Sequence, residues 1–227
     1  MSSFSRFIGG FIMNKTVSYL AKLGITLYEP WQQPVPQAAA LSDQEWQTLG
    51  QQVATCEKCD LCKTRKNTVF GVGNPQAKLM LVGEAPGATE DQRGEPFVGE
   101  AGQLLDKMIA AIGESRQTLF IANILKCRPP GNRDPLPFEV AQCMPYLLKQ
   151  IEWIQPKLIL ALGRVAAHNL LQTQTALSKL RGQIFHFGVQ QIPLIVTYHP
   201  AYLLRNPAEK RNAWIDLQRV QAMLGLN

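Results

Sequence analysis

The sequence has no long apolar run. No stretch approaches the roughly 20 apolar residues that a bilayer-spanning helix needs, so no such helix is expected. Cysteine is scarce and odd in number, at five, and no secretory signal stands out. That argues against a disulfide framework and for reduced thiols in a cytosolic, cytoplasmic setting. Charged residues are only 18% of the chain and glutamine is frequent, which argues against a hyperthermophilic source. Internal repeats are missing too, so no solenoid is expected. Acidic residues are the minority charge, 17 against 23 Lys and Arg, for a net +6. This excess permits a polyanionic partner without demanding one. What is present is apolar content of 46% over 227 residues, enough for one α/β domain with a sizeable core.

The first 12 residues hold Phe4, Phe7, Ile8, Phe11 and Ile12 around Gly9-Gly10 and fit no element. Met13-Asn14-Lys15-Thr16 reads as a natural beginning. A helical pattern follows through Val17, Leu20, Ala21 and Leu23 and stops at Gly24. Pro30, Pro34 and Pro36 then mark an extended linker. The expected division is an N-terminal extension and Pro-rich linker over 1–40 and a main domain over 41–227. Ser42-Asp43-Gln44-Glu45 has the pattern of a capping box, opening a helix through Leu49 and Val53 that delivers the chain to Cys56.

Four short apolar runs follow, over 78–82, 119–124, 158–162 and 194–197. Helical patterns near 101–112, 138–152 and 164–171 lie between them. The alternation predicts a three-layer α/β/α sandwich with a four-stranded, mostly parallel sheet. Ile184-Phe185-His186-Phe187, with Gly188 and Ile192, reads as a small antiparallel hairpin before the last central strand. Pro207 is expected to open a final helix running to about Leu224.

The stretch Val82-Gly83-Glu84-Ala85-Pro86-Gly87-Ala88-Thr89-Glu90-Asp91, continuing to Gly94-Glu95-Pro96-Phe97-Val98-Gly99, reads as a long loop after the first strand. Ligands bind at such carboxyl ends in α/β sheets, and a plain connection is usually shorter. The loop carries Glu84, Glu90 and Phe97, whose ordinary readings are a surface carboxylate, a turn former and a core aromatic. Asn123 ends an apolar run, where Asn is usually a turn former. His199 lies just past the last run, after Tyr198, and precedes Pro200, a strand-end position that raises its interest. Cys56-x2-Cys59 with Cys127 and Cys143 is a possible four-thiolate set suited to zinc or to a [4Fe–4S] cluster. The alternative reading of Cys127 and Cys143 is as small buried apolar residues. Cys62 makes a second C-x2-C with Cys59, so spacing alone leaves the ligand set and the metal open.

Taken together, three blocks resemble the family 4 uracil-DNA glycosylases, the iron–sulfur type. The first is the loop just described. The second is Asn123-Ile124-Leu125-Lys126-Cys127-Arg128-Pro129-Pro130-Gly131-Asn132-Arg133. The third is Tyr198-His199-Pro200-Ala201-Tyr202-Leu203-Leu204-Arg205-Asn206-Pro207. Cys56-Glu57-Lys58-Cys59, with Leu61 and Arg65 following, and Cys143 complete the family's cysteine set. The blocks run in the family's order from about Cys56 to the C-terminus, and their combination is far more specific than any one of them.

The resemblance implies the three-layer fold of that superfamily and a monomer acting on uracil-containing DNA, single- or double-stranded. It implies hydrolysis of the N-glycosidic bond of deoxyuridine, leaving an abasic site for base excision repair. Cys56, Cys59, Cys127 and Cys143 would hold a [4Fe–4S] cluster that pins loops, with Cys62 outside it. Phe97 would stack on a flipped pyrimidine, and Asn123 would accept from uracil N3–H and donate to O4. Glu90 would orient water or support the cationic sugar, with Glu84 and Ala85 lining the pocket. His199 would donate to uracil O2 as negative charge develops, and Asn132 would hold the scissile region or a water. Lys126, Arg128, Arg133 and Arg205 would contact phosphates, and one of Tyr202, Leu203 and Leu204 would wedge into the space the base leaves.

Two rivals stand beside this reading. A related branch traps uracil-DNA covalently and carries a basic, His-containing insertion after the first block. Here Val98-Gly99-Glu100-Ala101-Gly102 runs straight into the predicted helix. A non-catalytic iron–sulfur protein that binds DNA or a partner would need degraded pocket residues, and Glu84, Glu90, Phe97, Asn123 and His199 are all present. No lysine in the three blocks is placed as an obvious Schiff-base nucleophile, so no lyase step is expected.

Overall fold

The computed structural model describes residues 42–226. The expected start at Met13, the helical pattern after it and the Pro-rich linker lie outside the described residues. Helix α1 spans Asp43–Ala54. Its cap is the expected one: Ser42 Oγ accepts from the Glu45 amide at 3.3 Å and donates to Glu45 Oε2 at 2.9 Å. The chain then passes Cys56 and Cys59 into a 3₁₀ turn, Asp60–Lys63.

A single sheet follows, in the order β1-β3-β2-β4-β6-β5. Its central strands are β2 (Leu79–Gly83), β3 (Phe120–Asn123), β4 (Leu158–Leu162) and β6 (Ile192–Thr197). These four pair in parallel. The expected count of four strands is therefore corrected to six: β1 (Val72–Gly73) and β5 (Ile184–Phe187) close the two edges antiparallel. The β5–β6 pair is the expected hairpin, but it extends the main sheet. Strand β1 was illegible because it is two residues long, preceded by Gly71 at φ 140° and ending in a second glycine, Gly73, at φ 122°.

Both faces of the sheet are covered, which is why the central strands read as unbroken apolar runs. Met80, Val82, Ala122, Ile159 and Val196 pack on one side with Leu147 and Ile151 of α4 (Pro137–Ile154) and Ala166 of α5 (Arg164–Leu171). Leu79, Leu81, Ile121, Leu160 and Ile195 pack on the other with Leu105 and Ile109 of α3 (Glu100–Ala110) and Leu217 and Val220 of α8 (Lys210–Leu224). The period-two alternation along β2 thus divides its side chains between two cores, as a three-layer α/β/α sandwich requires.

Three local expectations change. The long loop after β2 contains a short helix, α2 (Ala88–Arg93), stopped by Gly94 in the left-handed region. Residues Leu177–Leu180 form α6, and Pro200–Arg205 form α7, with Pro200 at its first turn. Pro207 opens a 3₁₀ turn, Pro207–Glu209, and α8 begins only at Lys210. Among the described residues no helix is long and apolar enough to cross a membrane.

Candidate active site

The carboxyl ends of β2, β3 and β6 open into one cleft of about 420 Å³. Its walls include Glu84, Ala85, Glu90, Phe97, Asn123, Asn132, His199, Tyr202 and Arg205. Seven of these were expected around the base, the scissile bond or its water: Glu84, Ala85, Glu90, Phe97, Asn123, Asn132 and His199. The fold brings them together from three separate strand ends.

Phe97 and Asn123 meet across Gly83. The parallel register sets Gly83 opposite Asn123. A β-carbon at Gly83 would overlap Asn123 Oδ1 and come within 2.7 Å of the Phe97 ring. Phe97 itself sits at φ 54°, a left-handed backbone that costs of order 1–3 kcal/mol for a bulky residue. Arg116 holds it there, donating to the carbonyls of Pro96 and Phe97. Gly102 lets the Phe97 carbonyl pack against α3, since a β-carbon there would overlap it. Asn123 is only 2% exposed, and its Oδ1 accepts no hydrogen bond within the described residues. Buried side-chain acceptors are nearly always paired, so this one is available to a ligand donor.

The acid–base groups surround that pair. Glu90 Oε1 accepts from the amides of Val98 and Gly99, each at 2.9 Å. Its Oε2 lies beside Gly87, where a β-carbon would stand 2.7 Å away. The carboxylate is thereby fixed across the loop. Glu84 differs: burial pushes its carboxyl up to about 7, the nearby Asp134 adds to this and Arg164 opposes it. His199 is pushed down to about 4 by burial, with the Arg205 charge adding and Glu90 opposing. Its Nδ1 accepts from the Ala201 amide at 3.2 Å, so the neutral ring carries its proton on Nε2. The ring lies 5.5 Å from that of Phe97. Gly163, at φ 90°, permits this approach, because a β-carbon there would come within 2.8 Å of His199 Cβ.

The expected DNA contacts divide. Lys126 is corrected: it is 1% exposed, and its Nζ donates to the carbonyls of Phe70 and Asn123 and to Gln150 Oε1. Burial pushes its ammonium down to about 8. It presents nothing to a phosphate. Arg133 forks onto Glu139 at 2.9 and 2.6 Å, and Glu139 in turn caps the Leu136 amide at the start of α4. Leu203 is also corrected as a wedge, being 1% exposed and packed in the core beside Leu217. Its neighbours on α7 are exposed: Tyr202, which lines the cleft, at 36% and Leu204 at 41%. Arg205 is exposed and lines the cleft. Arg128 donates to Asn132 Oδ1 at 2.8 Å, so these two act as one unit.

Sequence reasoning missed the Asp134–Arg164 ion pair, 2.5 Å long, which bears on Glu84. Nothing local signals it, since Asp134 lies in the loop before α4 and Arg164 opens α5. It also missed Gly83, although a glycine ending an apolar strand is a recognised sign of close backbone approach.

A second constellation lies at the amino-terminal side of α4. Cys56, Cys59, Cys127 and Cys143 line one small cavity, with Val53, Leu61, Leu125 and Tyr146 as its apolar walls. Cys62 does not line it. Arg65 donates to the Cys56 carbonyl at 2.7 Å and to Cys127 Sγ at 3.2 Å, joining the two arms. The Lys126 amide donates to Cys143 Sγ at 3.1 Å. Burial pushes the Cys143 thiol up to about 11 against the pull of Lys126. Among the described residues no three His, Cys, Asp or Glu side chains converge as a site for one metal ion. The four thiols surround a space instead, and this donor set suits a sulfur-ligated cluster.

The comparisons with known proteins follow the same outline. The model of the uracil DNA glycosylase superfamily matches residues 70–218. A type-4 uracil-DNA glycosylase of Archaeoglobus fulgidus is 44% identical over 181 residues, covering 77% of this chain and 90% of that protein. One from Saccharolobus solfataricus is 43% identical over 183 residues, covering 78% of this chain and 85% of that protein. One from Pyrobaculum aerophilum is 44% identical over 177 residues, covering 75% and 90%. The matched stretch holds the whole sheet, the cleft at its carboxyl end and two of the four clustered thiols, and likeness of this extent leaves one conclusion: the chain belongs to the uracil-DNA glycosylase superfamily, within its type-4 branch.

Proposed function

We propose that this protein hydrolyses the N-glycosidic bond of deoxyuridine in DNA, releasing uracil and leaving an abasic site. One observation carries the base assignment. Asn123 Oδ1 is a buried acceptor without a partner in the wall of the cleft. Uracil offers an N3–H donor to such an oxygen and an O4 acceptor to the amide nitrogen, whereas cytosine offers the reverse pattern. Phe97 supplies a face on which an extruded pyrimidine stacks. As the C1′–N1 bond breaks, its electron pair passes to uracil, and Nε2–H of the neutral His199 donates to O2 of the departing anion. The Glu90 carboxylate, fixed by two amides, supports the cationic sugar. A water adds to C1′, and the ionised Glu84 accepts its proton. The direct test is a gel assay on an oligonucleotide with one uracil, cleaved by alkali after incubation. Alkali-labile strands confined to the uracil position are expected. Intact uracil-DNA would overturn the reading, and scission without alkali would replace it with a lyase.

Cys56, Cys59, Cys127 and Cys143 are proposed to hold a [4Fe–4S] cluster. Bound there, the cluster would cross-link the arm after α1 to the segment after β3 and to α4. The donors must lose their protons on binding, so assembly favours higher pH. The role is to hold loops that flank the cleft, and no electron transfer enters the hydrolysis. Arg205 is proposed to meet a DNA phosphate, with Leu204 filling the gap the base leaves. A monomer in the cytoplasm suffices for this chemistry.

A further inference from the structure

Strand β1 offers β3 only two rungs, Val72 to Ile121 and Gly73 to Phe120. Beyond them the carbonyls of Phe70 and Asn123 have no strand between them to answer. Lys126 Nζ occupies that place, 3.1 Å from each, and its third acceptor is Gln150 Oε1 at 2.7 Å. An ammonium has three protons, and here all three are used. Gln150 completes the set, donating from Nε2 to the Phe70 carbonyl at 2.9 Å. Both side chains are buried, Lys126 at 1% exposure and Gln150 at 0%. Burying a lysine and a glutamine in a core is costly, so the arrangement calls for a purpose beyond packing.

Asn123 shows the need. Its amide oxygen has no hydrogen bond of its own, so its own bonds do not orient it. Its orientation comes from the backbone on which it stands and from contact with Gly83 and Phe97. The Lys126 ammonium grips that backbone at the Asn123 carbonyl. The same residue's amide donates to Cys143 Sγ, so one residue joins the thiol cavity to the base-reading strand end. We propose that Lys126, braced by Gln150, is a positioning residue for uracil recognition that holds the Asn123 amide in register. The proposal rests on the uracil-glycosylase reading above.

The experiment is single-turnover uracil excision by purified full-length wild type, Lys126→Met, Gln150→Leu, Asn123→Ala and the Lys126→Met/Asn123→Ala double variant. Folding is checked by circular dichroism, and affinity for uracil-free duplex by fluorescence anisotropy. A misplaced recognition group of about 1 Å costs on the order of 10²-fold, and Lys126→Met should lose about that much rate. Its affinity for uracil-free DNA should stay within about twofold, because the ammonium touches no DNA, and in the Asn123→Ala background the same change should cost no more than about twofold. A generally structural lysine would slow both backgrounds alike, and that result overturns the proposal. So does a folded Lys126→Met variant with wild-type excision. Should Lys126→Met not fold, Gln150→Leu, made alone and together with Asn123→Ala, carries the same two comparisons, with a smaller loss expected and an unchanged rate overturning the proposal. Wild-type protein that leaves uracil in place sinks the glycosylase reading instead, so the two failures are distinct.

Discussion

The substitution Gly83→Ala adds one methyl group to a residue that touches no substrate. Its β-carbon would stand 2.7 Å from Phe97 Cζ, where ordinary contact begins at 3.4 Å, and would overlap Asn123 Oδ1. Neither neighbour yields easily. Asn123 is paired to Gly83 in the parallel ladder, and the Ile124 amide donates to the Gly83 carbonyl at 3.0 Å. Phe97 is held from behind by Arg116 and is tight against Gly102. The methyl group must therefore push the amide and the ring into the cleft. A displacement of about 1 Å in a recognition group costs on the order of 10²-fold in rate. Overpacking in a close-packed core adds a loss of typically 1–3 kcal/mol in stability. The assay is single-turnover excision at saturating enzyme, with thermal melting and duplex affinity measured in parallel. Excision should fall by roughly that factor while affinity for uracil-free DNA holds, since the mutated position lies below the cleft floor. A stable Gly83→Ala protein that excises uracil at the wild-type rate would refute the claim that Phe97 and Asn123 form the base site.

The Glu84 carboxyl, near 7 in the folded protein against an ordinary 4.5, should give the excision rate an ascending limb around neutral pH that Glu84→Gln abolishes. Asp134→Asn should move that limb to lower pH and Arg164→Gln to higher pH, read from pH–rate profiles. Because the folded-state value is raised, Glu84 favours folding at low pH and loses that contribution as pH rises through about 7, so Glu84→Gln should raise the melting temperature mainly above neutrality. On α7, Leu204→Ala should weaken excision from U·A pairs more than from U·G pairs or single strands, because a well-paired base costs most to extrude; an equal loss on all three would dismiss the wedge. Leu203→Ala should instead cost about 2–5 kcal/mol of stability with no substrate preference. Cys59→Ser should lose iron and acid-labile sulfide from anaerobically purified protein while Cys62→Ser keeps both, and zinc in place of iron would contradict the cluster.

Several of these features were legible in the chain itself. Strands buried on both faces must be apolar throughout, so β2, β3, β4 and β6 announced themselves, and the helices between them pointed to a mostly parallel sheet. Residues that follow such strands lie at one edge of the sheet, and the resemblance to the glycosylase family gave Glu84, Asn123 and His199 their places in one site there. Other features depend on neighbours remote in sequence. Lys126 reads as a surface cation until the two-rung β1 leaves the Phe70 and Asn123 carbonyls for its ammonium to join. Leu203 and Leu204 are the same residue type side by side, and the phase of α7 against the core buries one and exposes the other. Glu84 and Glu90 are both loop acids in sequence, but Glu90 meets two amides and Glu84 meets burial beside an aspartate. Residue identity set which chemistry was possible at each position. Solvent access and hydrogen-bond partners, which arise only when distant segments pack, decided which side chains hold the architecture and which face the cleft.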